Sequence, residues 1–317
     1  MKLLIIGNSR HHSMALANLA SALGERSSNL RTYLVCGARD YSFFADKLTF
    51  SGIELICFSD AEQSEEVHIG AKGQKISQLF MRIKELAKGV LPDGLANWLR
   101  GTSIGYWAIQ KNAEILFEKG LLRAGEIFRE TQPDTVMAWG DRHLDIEAPI
   151  LMVSETWNIP VIIPYVSYSG TKGLETLRKF DPNYTVGAHS NLYSWWYKDS
   201  FDSQVKNNLY WQQLPILVAA QKFGFLSNNP WRIGCGKSTY VCVDSKRTLE
   251  MYIEEGVPES RLKITGDVAY DDLENGNFKG TSDHSIVNVV KTIMVAVPQY
   301  FEQGILSDEQ HWSEIKR

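Results

Sequence analysis

Short apolar runs alternate with longer amphipathic segments along most of the sequence. The apolar runs predict β-strands at 2–6, 31–35, 53–57, 136–139, 159–164, 240–243 and 262–265. Amphipathic spacing predicts helices at 13–23, 41–48, 75–90 and 108–130, a helix after Leu144, one ending at Glu255 behind a Ser245 cap, and a helical tendency over 191–225. Such alternation favours parallel pairing with right-handed crossovers. The predicted fold class is therefore α/β, with a doubly wound parallel sheet.

The polar cluster after the fourth strand is the first candidate site. Gly140 lets the chain turn, and Asp141, Arg142 and His143 follow it, with Glu147 in the next helix. Open parallel sheets bind ligands at strand-to-helix turns of this kind, and we expect the cluster to be functional. In the alternative interpretation, Asp141 only caps the helix and its two neighbours are solvated.

The turn after the first strand is the second candidate site. It contains a single glycine, Gly7, which argues against a dinucleotide fingerprint. Arg10, His11 and His12 stand at the start of a helix, and this combination suits an anion such as phosphate or carboxylate. The alternative is that these side chains are ordinary solvated loop residues.

A third polar segment follows the fifth strand. Ser167 and Ser169 lie on a glycine-containing loop that could bind a sugar or phosphate, although loops are commonly rich in hydroxyl groups. If the strand order is 3-2-1-4-5-6, the first and fourth strands are neighbours. Arg10 and Asp141 would then stand at one crevice, where Asp141 or His143 could act as a general base.

Composition narrows the class of protein. The chain has 317 residues, which is enough for two domains, and 44% of its residues are hydrophobic and 22% charged. Its net charge of −4 is not the basic excess that is typical of nucleic-acid-binding proteins. Cys36 and Cys57 end apolar runs, so we expect buried free thiols in a reducing compartment. The first apolar run is too short for a signal peptide, and no window is long enough to span a membrane. We therefore expect a cytoplasmic protein.

The segment 75–111 predicts a surface contact. The helix 75–90 is basic and amphipathic, and Trp98, Tyr106 and Trp107 follow it. This combination could dock at the inner face of a membrane or on a lipid-linked acceptor. The alternative is that the apolar stripe packs on the sheet. The aromatic residues within 191–225 allow the same two interpretations.

Four motifs resemble the end of the first domain of GT-B glycosyltransferases, in the branch that includes the UDP-N-acetylglucosamine 2-epimerases. They cover 229–238, 240–243, 255–259 and 264–267, and residues 140–142 and 158–161 are similar to the same group. The resemblance implies two Rossmann-like domains around a cleft, the first on the acceptor side and the second binding a nucleotide sugar. We expect residues 1–267 to form the first domain, 268–284, which include the polar and glycine-bearing segment 274–283, to form a linker, and 285–317 to start an incomplete second domain. By position, Asp141 matches the family's strand-four acid and Arg10 a basic residue after strand one.

Departures from the epimerase pattern favour a transferase. The first turn reads Gly7-Asn8-Ser9-Arg10-His11, where the epimerases have Gly-Thr-Arg-Pro-Glu, and 297–301 lacks their histidine-arginine motif. The expected reaction moves a sugar from a nucleotide-sugar donor to a saccharide or lipid-linked glycan in surface polysaccharide biosynthesis. Asp141 or His143 would be the base, and Arg10, His12 and Arg142 would bind an anionic group. No metal or other cofactor is expected. The alternatives are a UDP-sugar 2-epimerase or hydrolase, and a non-catalytic binding half-domain.

Overall fold

A computed structural model describes residues 1–7, 10–27, 29–48, 52–58, 102–165, 175–176, 178–187, 191–197 and 200–266. The side chains of His11 and His12 are not among the described parts. Ser167, Ser169, the predicted helix 75–90, the linker and the second domain also lie outside the described residues.

The described strands and helices follow the predicted alternation. The strands are β1 (Lys2–Gly7), β2 (Arg31–Cys36), β3 (Ile53–Cys57), β4 (Thr135–Met137), β5 (Val161–Ile163), β6 (Val205–Lys206), β7 (Leu209–Tyr210), β8 (Tyr240–Val243) and β9 (Leu262–Ile264). The α-helices are α1 (Arg10–Arg26), α2 (Ala38–Leu48), α3 (Ser103–Thr131), α4 (Glu147–Thr156), α5 (Leu192–Tyr197), α6 (Leu214–Lys222) and α7 (Lys246–Glu254). Single 3-10 turns occur at Pro182–Tyr184, Asp202–Gln204 and Glu259–Arg261.

The main sheet confirms the predicted strand order. Seven described strands lie in the order β3-β2-β1-β4-β5-β8-β9, and every neighbouring pair is parallel. Ile5 of β1 is level with Leu34 of β2 on one side and with Met137 of β4 on the other. Because β1 and β4 are adjacent and parallel, their carboxyl ends meet at the same edge of the sheet.

Helices cover both faces of the sheet, as in a doubly wound fold. Side chains alternate between the faces of a strand, so consecutive residues of β1 enter different clusters. Leu4 and Ile6 pack with Phe128 of α3, whereas Leu3 and Ile5 pack with Leu16 of α1. Cys36 and Cys57 are buried and form no disulfide bond, as expected.

Helix α3 carries part of the fold beyond the carboxyl edge of the sheet. Its 29 residues correspond to about 43 Å, roughly twice the length of β1. Gln132, in the left-handed region at φ 47°, ends the helix just before β4, so α3 runs antiparallel to that strand. Phe117, near its middle, packs beside Leu144 in the β4–α4 turn (138–146). The first turns of α3 therefore extend past this edge.

The predicted helical tendency over 191–225 is wrong in its centre. Helices α5 and α6 are separated by the antiparallel hairpin β6–β7. Asn207 and Asn208 form its two-residue turn with φ values of 51° and 63°. Asparagine tolerates this left-handed conformation, which a type I′ hairpin turn requires at both positions. The aromatic content of the segment concealed that local signal.

Candidate functional site

Asp141 joins the β4–α4 turn to a distant loop. It is buried, and its Oδ1 accepts a hydrogen bond from the backbone N–H of Gly234 at 2.8 Å. Its Oδ2 accepts one from the N–H of Gly236 at 2.9 Å and one from the hydroxyl of Ser238 at 2.6 Å. Both carboxylate oxygens are therefore engaged by the 234–238 loop. Helix α4 has Ile146 as its N-cap with no side-chain bond, so the alternative that Asp141 caps this helix is wrong.

The 234–238 loop fits closely around Asp141. Gly234 has φ +97°, a conformation that glycine adopts without strain. A Cβ at Gly236 would lie 2.9 Å from Cγ of Asp141 and closer still to its carbonyl oxygen. On its other side, the loop is held by Arg261, whose Nη1 donates to the carbonyl oxygens of Gly234 at 3.2 Å and Gly236 at 2.8 Å. The close approach requires glycine at position 236.

Arg142 is built into the interior, so the alternative that it is solvated is wrong. Only 6% of the residue is exposed, and its Nη1 donates to the carbonyl oxygen of Trp231 at 3.1 Å. Its guanidinium lies 5.1 Å from the ring centre of Trp211, and that of Arg178 lies 4.2 Å from the same ring. Burial lowers the pKa of Arg142 to about 10, against the opposing charge of Asp141, so the side chain remains charged at neutral pH. Its predicted contact with an anionic ligand stays a prediction.

His143 is more accessible than the two residues before it. It is partly exposed, and its backbone N–H donates to Oε2 of Glu147 at 3.3 Å. Glu147 is fully buried in the first turn of α4, where the helix dipole favours a carboxylate. With Ser227 and Lys237, His143 lines a cavity of about 10 Å³, close to the space one water needs. The Ser227 hydroxyl is buried and has no hydrogen-bond partner among the described residues. The turn thus presents an imidazole beside a small cavity that is lined by both polar and apolar residues.

Arg10 stands at the expected edge but is engaged by its neighbouring helix. Its Nε donates to Oδ1 of Asp40 at 2.7 Å, and its guanidinium lies 5.0 Å from the ring centre of Phe43. Both partners belong to α2, the helix that follows β2, so the Arg10 guanidinium is held against α2. The topology brings the predicted turns to the same edge. The anion-binding roles of Arg10, His11 and His12 stay predictions.

Two features of this site were not predicted. The 234–238 loop was noted only for its resemblance, although two glycines and a serine within five residues are a signal for close backbone approach. The Arg178–Trp211–Arg142 stack joins residues far apart in sequence, and no local pattern indicates it.

Several apolar side chains are exposed near the start of α3. Exposed fractions are 73% for Ile104, 70% for Leu192, 64% for Trp195 and 71% for Trp196. Across the described ranges, the structure contains no helix that combines the length and apolar character needed to cross a membrane. Peripheral membrane association through 75–111 stays a prediction.

Comparison with known proteins reveals similarity at the level of solved structures. No family model matches the sequence, and no curated protein sequence matches it. The chain is similar to UDP-GlcNAc 2-epimerase from Neisseria meningitidis bound to UDP-GlcNAc, with 12% identity over 90% of this chain and 52% of that chain, at a TM-score of 0.38. It is also similar to UDP-GlcNAc 2-epimerase from Methanocaldococcus jannaschii, with 13% identity over 87% of this chain and 48% of that chain, at a TM-score of 0.37.

The calicheamicin glycosyltransferase CalG4 is also similar, with 14% identity over 84% of this chain and 52% of that chain, at a TM-score of 0.38. The chain spans about half the length of the solved structures it matches.

Proposed function

We propose that this chain is the acceptor-side part of a glycosyltransferase that moves a sugar from a nucleotide-sugar donor to a saccharide or lipid-linked glycan. The observation that carries the proposal is a partly exposed histidine in the turn after β4, at the edge where β4 meets β1. The motif resemblance described above supports the same class of reaction. A place in surface polysaccharide biosynthesis at the inner face of the membrane belongs to the proposal as well.

His143 is the base in this proposal. An acceptor hydroxyl attacks the anomeric carbon of the donor sugar, and the bond from that carbon to the diphosphate breaks. The hydroxyl proton passes to the imidazole, since histidine is the side chain that most often serves in general acid–base catalysis. The nucleoside diphosphate leaves, without a metal ion, and helix amino termini and arginine side chains offset its charge.

Asp141 has a positioning role in this proposal, in place of the base role considered from sequence. Each of its carboxylate oxygens already accepts at least one hydrogen bond from the 234–238 loop. A base that also took the acceptor proton would have to give up part of this network, which would leave buried donors unpaired at a cost of about 1–3 kcal/mol each.

The test measures UDP release from a panel of UDP-sugars, with and without neutral saccharide acceptors, for the wild type, His143→Gln and Asp145→Asn. Asp145 lies exposed in the same turn and is the matched control. We expect His143→Gln to lower kcat about 100-fold or more while the far-UV circular dichroism is kept. Wild-type turnover by His143→Gln would exclude His143 as the base. Stoichiometric release of free UDP and a changed sugar without acceptor would identify an epimerase or hydrolase instead.

A further inference from the structure

A cavity of about 560 Å³ lies among the start of α3, the segment 183–187, helix α5, the end of β7 and the start of α6. Three aromatic side chains, Tyr106, Trp195 and Tyr210, form part of its wall. Because the first turns of α3 extend past the carboxyl edge of the sheet, the cavity lies beyond the same edge as the β4–α4 turn. Its volume is within the range of small-molecule sites.

Polar groups without formal charge complete the wall. Asn183 donates its side-chain amide to Asp181 at 2.8 Å, which leaves its amide oxygen as an acceptor. Ser194 and Asn191 also line the cavity, and the backbone N–H of Ser194 donates to Oδ1 of Asn191 at 2.8 Å. Burial raises the pKa of Tyr106 to about 12, so its phenol is a neutral hydroxyl at physiological pH.

The charge of the wall selects the class of ligand. None of the described residues that line the cavity is an aspartate, glutamate, lysine or arginine. A diphosphate or carboxylate would lose its hydration here without gaining a counter-charge, which is costly. A purely apolar ligand would instead cover acceptors such as the amide oxygen of Asn183 without bonding to them, which also costs free energy. A ligand with apolar ring faces and a rim of hydroxyl groups can pack on the aromatic side chains of the wall and hydrogen-bond to its polar groups.

We propose that this aromatic and amide-lined cavity binds a neutral saccharide, with a sugar ring on the indole of Trp195. Trp195 is 64% exposed, so little of its indole is used in packing. The C–H face of a sugar ring covers such an indole, while its hydroxyls bond to amide and hydroxyl groups at the wall. Binding by the cavity does not depend on catalysis. Naming the bound saccharide as the acceptor rests on the proposed function.

The experiment measures binding of maltotriose, cellotriose and triacetylchitotriose by saturation-transfer NMR and titration calorimetry, with UDP and decanol as charged and apolar probes. Trp195→Ala is the test variant and Trp196→Ala is the matched control. Both indoles are exposed, at 64% and 71%, and they sit on the same helix, but Trp196 is not among the residues lining the cavity. Neither change removes buried packing, so both variants are expected to fold.

We expect at least one trisaccharide to bind the wild type, Trp195→Ala to weaken it about tenfold, and Trp196→Ala to change it by less than about twofold. The inference is overturned if no trisaccharide binds at about 10 mM, if both variants weaken binding equally, or if only UDP or decanol binds. Saccharide binding without sugar transfer would contradict the proposed function alone. Transfer whose acceptor KM is unchanged in Trp195→Ala would contradict the identification of the bound saccharide as the acceptor.

Discussion

Replacing Asp141 with asparagine tests whether this side chain holds two parts of the fold together. The substitution keeps the shape of the side chain but removes its charge and turns one acceptor into a donor. Three short hydrogen bonds reach the carboxylate, from the N–H groups of Gly234 and Gly236 and from the hydroxyl of Ser238, and the N–H of Ser238 makes a longer fourth one at 3.4 Å. If the asparagine oxygen takes the place of Oδ2, the short bonds from Gly236 and Ser238 are kept but become neutral. The asparagine NH2 group then takes the place of Oδ1 and faces the N–H of Gly234, so that bond is lost.

The size of the effect follows from these three bonds. A hydrogen bond to a charged group contributes about 1.5–3 kcal/mol and a neutral one about 0.5–1.5 kcal/mol. One lost charged bond and two weakened bonds add up to about 4 kcal/mol, and relaxation of the loop reduces this to about 3 kcal/mol. For a domain of this size, that corresponds to a melting temperature about 6–12 °C lower.

Urea unfolding followed by circular dichroism measures this loss, with the exposed Asp145→Asn as control. A double-mutant cycle with Ser238→Ala isolates the shortest of the three bonds, and we expect a coupling of about 1–2 kcal/mol. A free energy of unfolding for Asp141→Asn within about 0.5 kcal/mol of the wild type would refute this reasoning. If such a stable variant also lost sugar transfer, Asp141 would again be the better candidate for the base.

Two further predictions concern packing and charge. Gly236→Ala should lower the free energy of unfolding by about 3 kcal/mol, because the new Cβ overlaps Asp141. Gly24→Ala, in α1 with nothing within 4 Å of the new Cβ, should raise the free energy of unfolding by about 0.5–1 kcal/mol. Equal effects of the two substitutions in urea unfolding would contradict this prediction. Burial acts to raise the pKa of Glu114, but hydrogen bonds from Lys222, Lys111 and Gln110 outweigh it and lower that pKa below its ordinary 4.5. Because the pKa of Glu114 is lower in the folded state, the unfolded state binds the proton more readily. The stabilisation of the wild type relative to Glu114→Gln should therefore be complete above pH 4.5 and should decline as the pH falls through the folded-state pKa. A difference that grows on acidification would show the opposite sign of linkage.

Local patterns were sufficient for the sheet and several helix ends. Strand β8 (Tyr240–Val243) has the predicted bounds, and Val241 and Val243 of this apolar run are buried in the core. Ser245 caps α7 as predicted, by accepting a hydrogen bond from the N–H of Thr248 at 3.3 Å. The hairpin at Asn207–Asn208 was missed although its turn signal is local, because the surrounding aromatic residues favoured a helix.

Local sequence patterns did not reveal which residues the polar side chains of the site would contact. The sequence placed Asp141 and Arg142 at the carboxyl end of β4 and Arg10 after β1, but it did not show what each would bind. Asp141 meets Gly234 and Ser238, 93 and 97 positions away, and Arg10 meets Asp40. These contacts depend on how separate elements come together.

The sequence by itself determined the alternation of elements, the parallel sheet and the edge at which polar turns collect, because burial of apolar surface follows residue spacing along the chain. Only the tertiary structure decided that Asp141 holds a loop, that Arg142 is buried against Trp211, and that His143 stays accessible. The physical reason is that apolar burial is non-directional and can be inferred from periodicity. A buried polar group instead requires a partner at a defined distance and angle, and the folded chain alone supplies it.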